Sequence, residues 1–403
     1  MKRKFVFLMA VCIFVVLLTS CGQQPAEKAG PATITIWHDK EEQVAAALLK
    51  ELEQLAPDIR VVLEKKSGLT EALKMVGNDP KAAPDMYFFA HDKIGVYAEM
   101  GILAPITDFL SQEQLDSLLP MTVKAASYKG TMYQLPLYFE TLLFMYNRRY
   151  MKDAEVPKTT EELYAYMEKK TKGGHYGFVE QHSTAYYSAG WIHAFGGYLL
   201  DDAAQPGLNL PQTVQALEYH LKFVKLMPGE SEYATVNTLL KEGKAHSTIG
   251  GPWLVPTVRE AGMDLGIAPM PLVDETGLPL APYSGVQGVH VLKVAAQSKK
   301  DAIVKVLNVL AKPEIGIALA KASGCAPAND LCYDDPAIAG DDMVTAMRET
   351  AQNAVPMPNA PEMDVMWTVA GNLLADINMS GKEIQSSAEA AQKKALELIA
   401  AMR

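Results

Sequence analysis

From Thr33 onward, short β-branched or apolar runs alternate with amphipathic helical patterns, and this alternation constrains the fold more than any other feature. Thr33-Ile34-Thr35-Ile36-Trp37 alternates β-branched residues and predicts a first strand. A helix over 41–55 follows, with Val44, Leu48, Leu49, Leu52 and Leu55 on one face and Pro57 ending it. Strands are predicted at Ile59 to Leu63 and at Asp85-Met86-Tyr87-Phe88-Phe89. Strands alternating with helices imply an α/β fold with a largely parallel sheet. Two extended apolar runs, 132–137 and 141–146, flank Glu140, and further helices are predicted at 160–170, 210–226, 301–311 and 383–402.

The N-terminus carries an address. Met1-Lys2-Arg3-Lys4 is basic, Phe5 to Leu18 is almost unbroken apolar, and Leu18-Thr19-Ser20-Cys21-Gly22 reads as a lipobox. The apolar run is shorter than the roughly 20 residues that span a bilayer. Residues 1–21 are therefore expected to be a lipoprotein signal, with Cys21 acylated and the protein held at the outer face of a bacterial membrane. The polar, Pro/Gly-bearing stretch 22–32 is expected to be a flexible tether.

About 380 of the 403 residues remain after the signal, which suits two domains better than one core. Two turn-rich loops, at 205–207 and 276–279, are too short to be an interdomain linker. The chain is expected to cross between lobes more than once. A net charge of -10 argues against nucleic acid as a partner, since nothing would neutralise phosphates. Cys325 and Cys332, with six residues between them, are candidates for a local disulfide in an oxidising compartment, or for two small core residues. His175, His182 and His193 lack a ligand motif such as H-E-x-x-H, so no metal is expected. No G-x-S-x-G, P-loop or dinucleotide fingerprint occurs, and no cofactor is expected.

Five segments, in order, carry a family resemblance. They are Ile36-Trp37-His38-Asp39-Lys40; Pro84-Asp85-Met86-Tyr87-Phe88-Phe89-Ala90-His91-Asp92-Lys93; Pro136-Leu137-Tyr138-Phe139-Glu140 with Met145-Tyr146-Asn147-Arg148; Gly250-Gly251-Pro252-Trp253; and Met357-Pro358-Asn359-Ala360-Pro361-Glu362-Met363 leading to Trp367. Together they resemble the extracellular solute-binding proteins of ABC sugar importers, in particular the maltose/maltodextrin-binding branch, over nearly the whole mature chain. The resemblance implies two α/β lobes closing on a sugar in the cleft between them. Lobe one would be 33–138 plus 284–335, and lobe two 139–283 plus 336–403. It further implies a monomer that captures a maltodextrin-type oligosaccharide and delivers it to an ABC permease, without catalysis.

Sugar hydroxyls call for charged or amide partners, and sugar C–H faces for aromatic planes. The resemblance supplies Asp39, Lys40, Phe89, Asp92, Lys93, Glu140, Tyr186, Trp253 and Trp367 as substrate-binding residues. Asp39 and Asp92 follow strands, where ligands of open α/β sheets bind. Trp37 is expected in the core or behind the site. Several positions depart from the maltose pattern. Phe89 replaces a tryptophan and Lys93 an arginine, which loses the bidentate fork. Thr184 stands near an acidic position, Gly371 at an arginine position, and the opening loop is about two residues shorter than in that branch. A different oligosaccharide thus remains an alternative ligand, and a surface lectin an alternative role. Asp92 and Glu140 could also be read as a glycosidase pair. Against that, Lys40 and Lys93 are expected to keep both carboxylates ionised, which does not suit a general acid.

Overall fold

The structure is a computed structural model that describes residues 32–402. The expected signal, lipidated Cys21 and all but the last residue of the tether lie outside the described residues. In chain order the strands are β1 (Ala32–His38), β2 (Ile59–Lys65), β3 (Met86–Ala90), β4 (Ser127–Tyr128), β5 (Thr131–Met132), β6 (Gln134–Thr141), β7 (Leu143–Asn147), β8 (Ser247–Gly250), β9 (Leu265–Ala268), β10 (Tyr283–Val291), β11 (Ala326–Pro327) and β12 (Val355–Pro356). A seven-stranded sheet runs β11-β6-β10-β3-β1-β2, with β12 paired to β10, and a three-stranded sheet runs β8-β7-β9.

The expected strand–helix alternation is present, with Ile34 and Ile36 of β1 fully buried. The helix Glu42–Leu55 buries Val44, Leu48 and Leu52. The large sheet is mixed, however, and not largely parallel. β1 is parallel to β2 and β3, whereas β10 runs antiparallel to both β3 and β6. Parallel neighbours need a crossover on one face of the sheet. β10 instead enters from the small sheet after β9, at the opposite end, and needs no crossover helix.

The cores follow the two sheets. One unites Ile34, Leu48, Phe88, Val289, Leu307 and Leu319 around the large sheet. Another unites Phe144, Trp191, Phe223, Leu373 and Ile377 around the small sheet and the helices Met363–Asn378 and Ile384–Ala401. A third lies where the chain passes between them, with Phe139, Leu143 and Met145 packed with Val286, Ala326 and Met347. β6 and β7 are nearly continuous, so one extended run links the two sheets. This is the expected two-lobe α/β architecture. No described helix is long and apolar enough to cross a membrane.

Cys325 and Cys332 are both free and buried, so of the two readings they are small core residues and the disulfide is not formed. The two sulfurs face different partners. Cys325 Sγ lies 3.7 Å from Glu140 Oε2, just before β11. Cys332 Sγ lies in the turn Asp330–Asp334, 3.3 Å from Pro313 O.

Several histidines are packed in apolar surroundings. Burial pulls His193 and His246 down to about 4 and His290 to about 3. In the unfolded chain the same imidazoles take up protons near their ordinary 6.5. Between these values the unfolded state binds more protons, so stability falls as the pH drops through this window. Thermal melts from pH 7.5 to pH 4 should show a steadily falling midpoint, and a His290→Phe variant should show a shallower fall.

Candidate ligand-binding site

The polar half of the site is built on one strand pair. β10 and β6 place Gly285 opposite Glu140 and Gln287 opposite Tyr138, with a bulge between Gln287 and Gly288. Glu140 and Gln287 are thus diagonal neighbours on one face, close enough for their side chains to meet. Gln287 Nε2 donates to Glu140 Oε1 at 3.1 Å. Gly285 leaves the carboxylate in place, since a Cβ there would lie 2.9 Å from that oxygen and push it aside. On the other flank of β6, Ala326 pairs with Phe139, which sets Cys325 beside Glu140.

Lys40, after β1, reaches the same group. Its Nζ donates to Gln287 Oε1 at 2.7 Å, pairs with Asp39 at 2.7 Å, and lies 5.4 Å from the centre of the Phe89 ring. Asp39, Lys40, Phe89 and Glu140 therefore converge as predicted, at the carboxyl ends of β1, β3 and β6. Burial dominates at Glu140 and holds its carboxyl above the ordinary range, although the Gln287 N–H, the Lys40 charge and the Cys325 thiol oppose it. The expected ionising effect of Lys40 is present but outweighed.

The aromatic half comes from helices and a turn around the small sheet, joined by Tyr283 at the start of β10. Tyr186, in the helix Ala185–Ala194, has its ring centre 6.3 Å from that of Trp253, 6.5 Å from Trp367 and 6.2 Å from Tyr283. Trp253 is 39 % exposed, unusual for so large an apolar ring and suited to stacking. The Gly-Gly-Pro before it explains its pose. The indole folds back over Gly251, where a Cβ would lie 2.2 Å from the ring. The two halves adjoin, since Glu140 acts with burial to push the Tyr186 phenol well above its usual range.

Asp92 and Lys93 form a third element beyond β3. Lys93 Nζ lies 3.4 Å from Asp92 Oδ2 and pairs closely with Asp364. Burial works to lower the Lys93 ammonium, but its pairs with Asp364 and Asp92 outweigh it and raise it. Asp364 sits in the first turn of the helix Met363–Asn378, one turn before Trp367. Sequence reasoning missed Asp364, Gln287 and the placement of Cys325. The three-residue spacing of Asp364 and Trp367 was the one local signal that could have found any of them. Trp37 is not at the site; its indole N–H donates to Glu64 at 3.1 Å, and Lys66 lies over its ring.

The Met-Pro-Asn-Ala-Pro segment proves to be an anchor. His91 Nδ1 accepts from the Val286 N–H at 3.0 Å, which leaves Nε2 as the donor to Met357 O at 2.9 Å. Gly95 N–H donates to Asn359 O at 3.0 Å, and the Asn359 amide donates to Ala125 O and Ser127 O. Of the departures from the maltose pattern, Gly371 leaves open space, with nothing within 4 Å of a built Cβ. Thr184 is the N-cap of the Tyr186 helix and makes no side-chain cap. A groove of about 900 Å³ lies along residues 355–362, Lys124 and Asp202, but it contains none of the predicted ligand residues and no gathered aromatic rings. Among the described residues no cluster of His, Cys, Asp and Glu could hold a metal ion.

Two α/β lobes, with acids and an amine at the end of the large sheet and aromatic rings from segments around the small one, define a ligand-binding architecture. The chain belongs to the bacterial extracellular solute-binding protein family, whose profile matches residues 47–346. It is 34% identical over 354 residues to the maltotriose-binding protein of Pyrococcus abyssi, covering 85% of this chain and 77% of that one. It is 27% identical to the galactooligosaccharide-binding protein of Bacillus subtilis, over 93% and 92% of the two chains. A maltooligosaccharide ABC transporter solute-binding lipoprotein of Streptococcus pneumoniae is 25% identical, over 94% and 93%. The crystal structure of a cyclo/maltodextrin-binding protein complexed with maltotetraose superposes with a TM-score of 0.83 at 25% identity, covering 93% of this chain and 98% of that one.

The Gly251 contact yields a direct check. In Gly251→Ala the new methyl must displace the Trp253 ring, so the Trp253 share of the fluorescence, isolated by difference from Trp253→Phe, should move to longer wavelength. An unchanged spectrum would show that the ring does not rest on Gly251.

Proposed function

We propose that this protein captures a maltodextrin-type oligosaccharide in the cleft between its lobes and delivers it to an ABC permease. The observation that carries the reading is the Tyr186 ring set 6.3 Å from Trp253 and 6.5 Å from Trp367, beside the Lys40–Gln287–Glu140 network. Rings supply planes for the C–H faces of sugars, and the charged and amide groups supply partners for hydroxyls. The relatives named for maltotriose and maltooligosaccharide binding support the same ligand class.

In this reading Asp39, Lys40, Phe89, Asp92 and Lys93 belong to lobe one, Glu140 to the crossover at the start of lobe two, and Tyr186, Trp253 and Trp367 to lobe two. The lobes are 33–138 with 284–335, and 139–283 with 336–403. Ligand contacts to both lobes favour the closed form, and the shift is set by the differential affinity of the two forms. The protein acts as a monomer and does no chemistry on the sugar. Acylated Cys21 holds it at the outer face of the membrane, near the permease, in keeping with the lipoprotein relative.

A second ligand class has specific support. Phe89, Lys93 and the open space at Gly371 depart from the maltose pattern, and one relative is named for galactooligosaccharides. Calorimetry with maltotriose and with a galactotriose, side by side, separates the two. The first reading expects the tighter binding with maltotriose, in whole-number stoichiometry and with no glucose released. Trp253→Ala and Trp367→Ala should each weaken it by roughly 1–3 kcal/mol, the scale of burying an aromatic ring. Unchanged affinity in both variants would remove the site assignment, and release of glucose would make the protein a hydrolase.

A further inference from the structure

Gln287 is 8 % exposed, on the bulged strand β10, and stands between the two charged groups of the polar half. Its Oε1 accepts from Lys40 Nζ at 2.7 Å and its Nε2 donates to Glu140 Oε1 at 3.1 Å. A primary amide can satisfy an ammonium and a carboxylate at once. A carboxylate in its place would repel Glu140, an amine would repel Lys40, and an apolar side chain would leave both without this partner. The remaining contacts do not join the two. Lys40 also pairs with Asp39 and lies over Phe88 and Phe89, while Glu140 also meets the Cys325 thiol.

We propose that Gln287 is a positioning residue that fixes Lys40 and Glu140 at one spacing and orientation, so that the pair meets neighbouring hydroxyls of the bound sugar. The inference rests on the reading that Lys40 and Glu140 contact the sugar. Gln287 also acts on charge. The groups that face Glu140 are Lys40 and Asp39 from the loop after β1, Tyr138 on its own strand, Gln287 from β10, Cys325 before β11 and the Tyr186 phenol. Burial favours the protonated carboxyl, and the Gln287 N–H is foremost among the groups that oppose it. Without that N–H, Glu140 takes up a proton closer to neutral pH.

The test is calorimetric titration of the full chain with maltotriose from pH 5.5 to 8.5. Gln287→Met should bind about tenfold more weakly at pH 8, the scale of one hydrogen bond to a charged group. Its deficit should grow as the pH falls. In a Glu140→Gln background the same substitution should lose that pH slope. Gln287→Glu supplies a second variant of native size. Its carboxylate repels Glu140 until the pair shares a proton, so its binding should recover as the pH falls, opposite in sign to Gln287→Met. A Gln287→Met deficit that is absent, or equal at every pH, would overturn the inference, as would parallel slopes in the two variants. Lys40→Met and Glu140→Gln separate the levels. Native-like affinity in both would sink the site reading itself, whereas losses there with an indifferent Gln287→Met would sink only the positioning role.

Discussion

The antiparallel pairing of β6 with β10 is the constraint on which the site depends. It sets Glu140 opposite a glycine, whose missing Cβ leaves the carboxylate its present position, and puts Gln287 on the same face one diagonal away. The same pair sits at the centre of the large sheet, with β11 on one flank and β3 on the other. It therefore carries Cys325 and Phe89 to the site along with Glu140. A one-residue slip in this register would turn Glu140 away from the cleft and into the sheet's other face.

The pair also lies where the chain passes between the two sheets. β6 runs on into β7 of the small sheet, and β10 arrives from it. His91 and Asn359 pin a further passage, 357–361, to the region around β3 and the β4–β5 hairpin. Just beyond that pinned segment the helix Met363–Asn378 carries Asp364 and Trp367. The Lys93–Asp364 pair ties the first turn of that helix to the end of β3, one turn from Trp367. The buried carboxyl of Glu140 fits the proposed closure, because a charge held back by burial gains most when ligand hydroxyls arrive to solvate it.

Sequence reading caught what is local. The β1 alternation, the helices near 42–55 and 160–170, and the Gly-Gly-Pro-Trp that seats Trp253 all depend on neighbours a few residues away. Asp39, Lys40, Phe89 and Glu140 were found through short motifs and do converge. What was missed depends on distant partners. Gln287 meets Glu140 across 147 residues, Cys325 meets it across 185, and Lys93 meets Asp364 across 271. The mixed sheet was hidden for the same reason, because strand direction is set by how the chain returns from the other lobe. The Lys40 effect on Glu140 was legible, but the opposing burial was not, because charge neighbours can be read from motifs while depth of burial cannot. The disulfide expectation failed because proximity in sequence said nothing about where each sulfur points.

The central claim is that one sugar bridges the polar edge of the large sheet and the aromatic face of the small one. A crystal structure with maltotriose bound tests it most directly. The account predicts glucose rings stacked on Trp253, Trp367 and Tyr186, with hydroxyls within hydrogen-bond distance of Lys40 and Glu140. A sugar seated elsewhere, such as the groove along 355–362, or one touching a single lobe only, would contradict it.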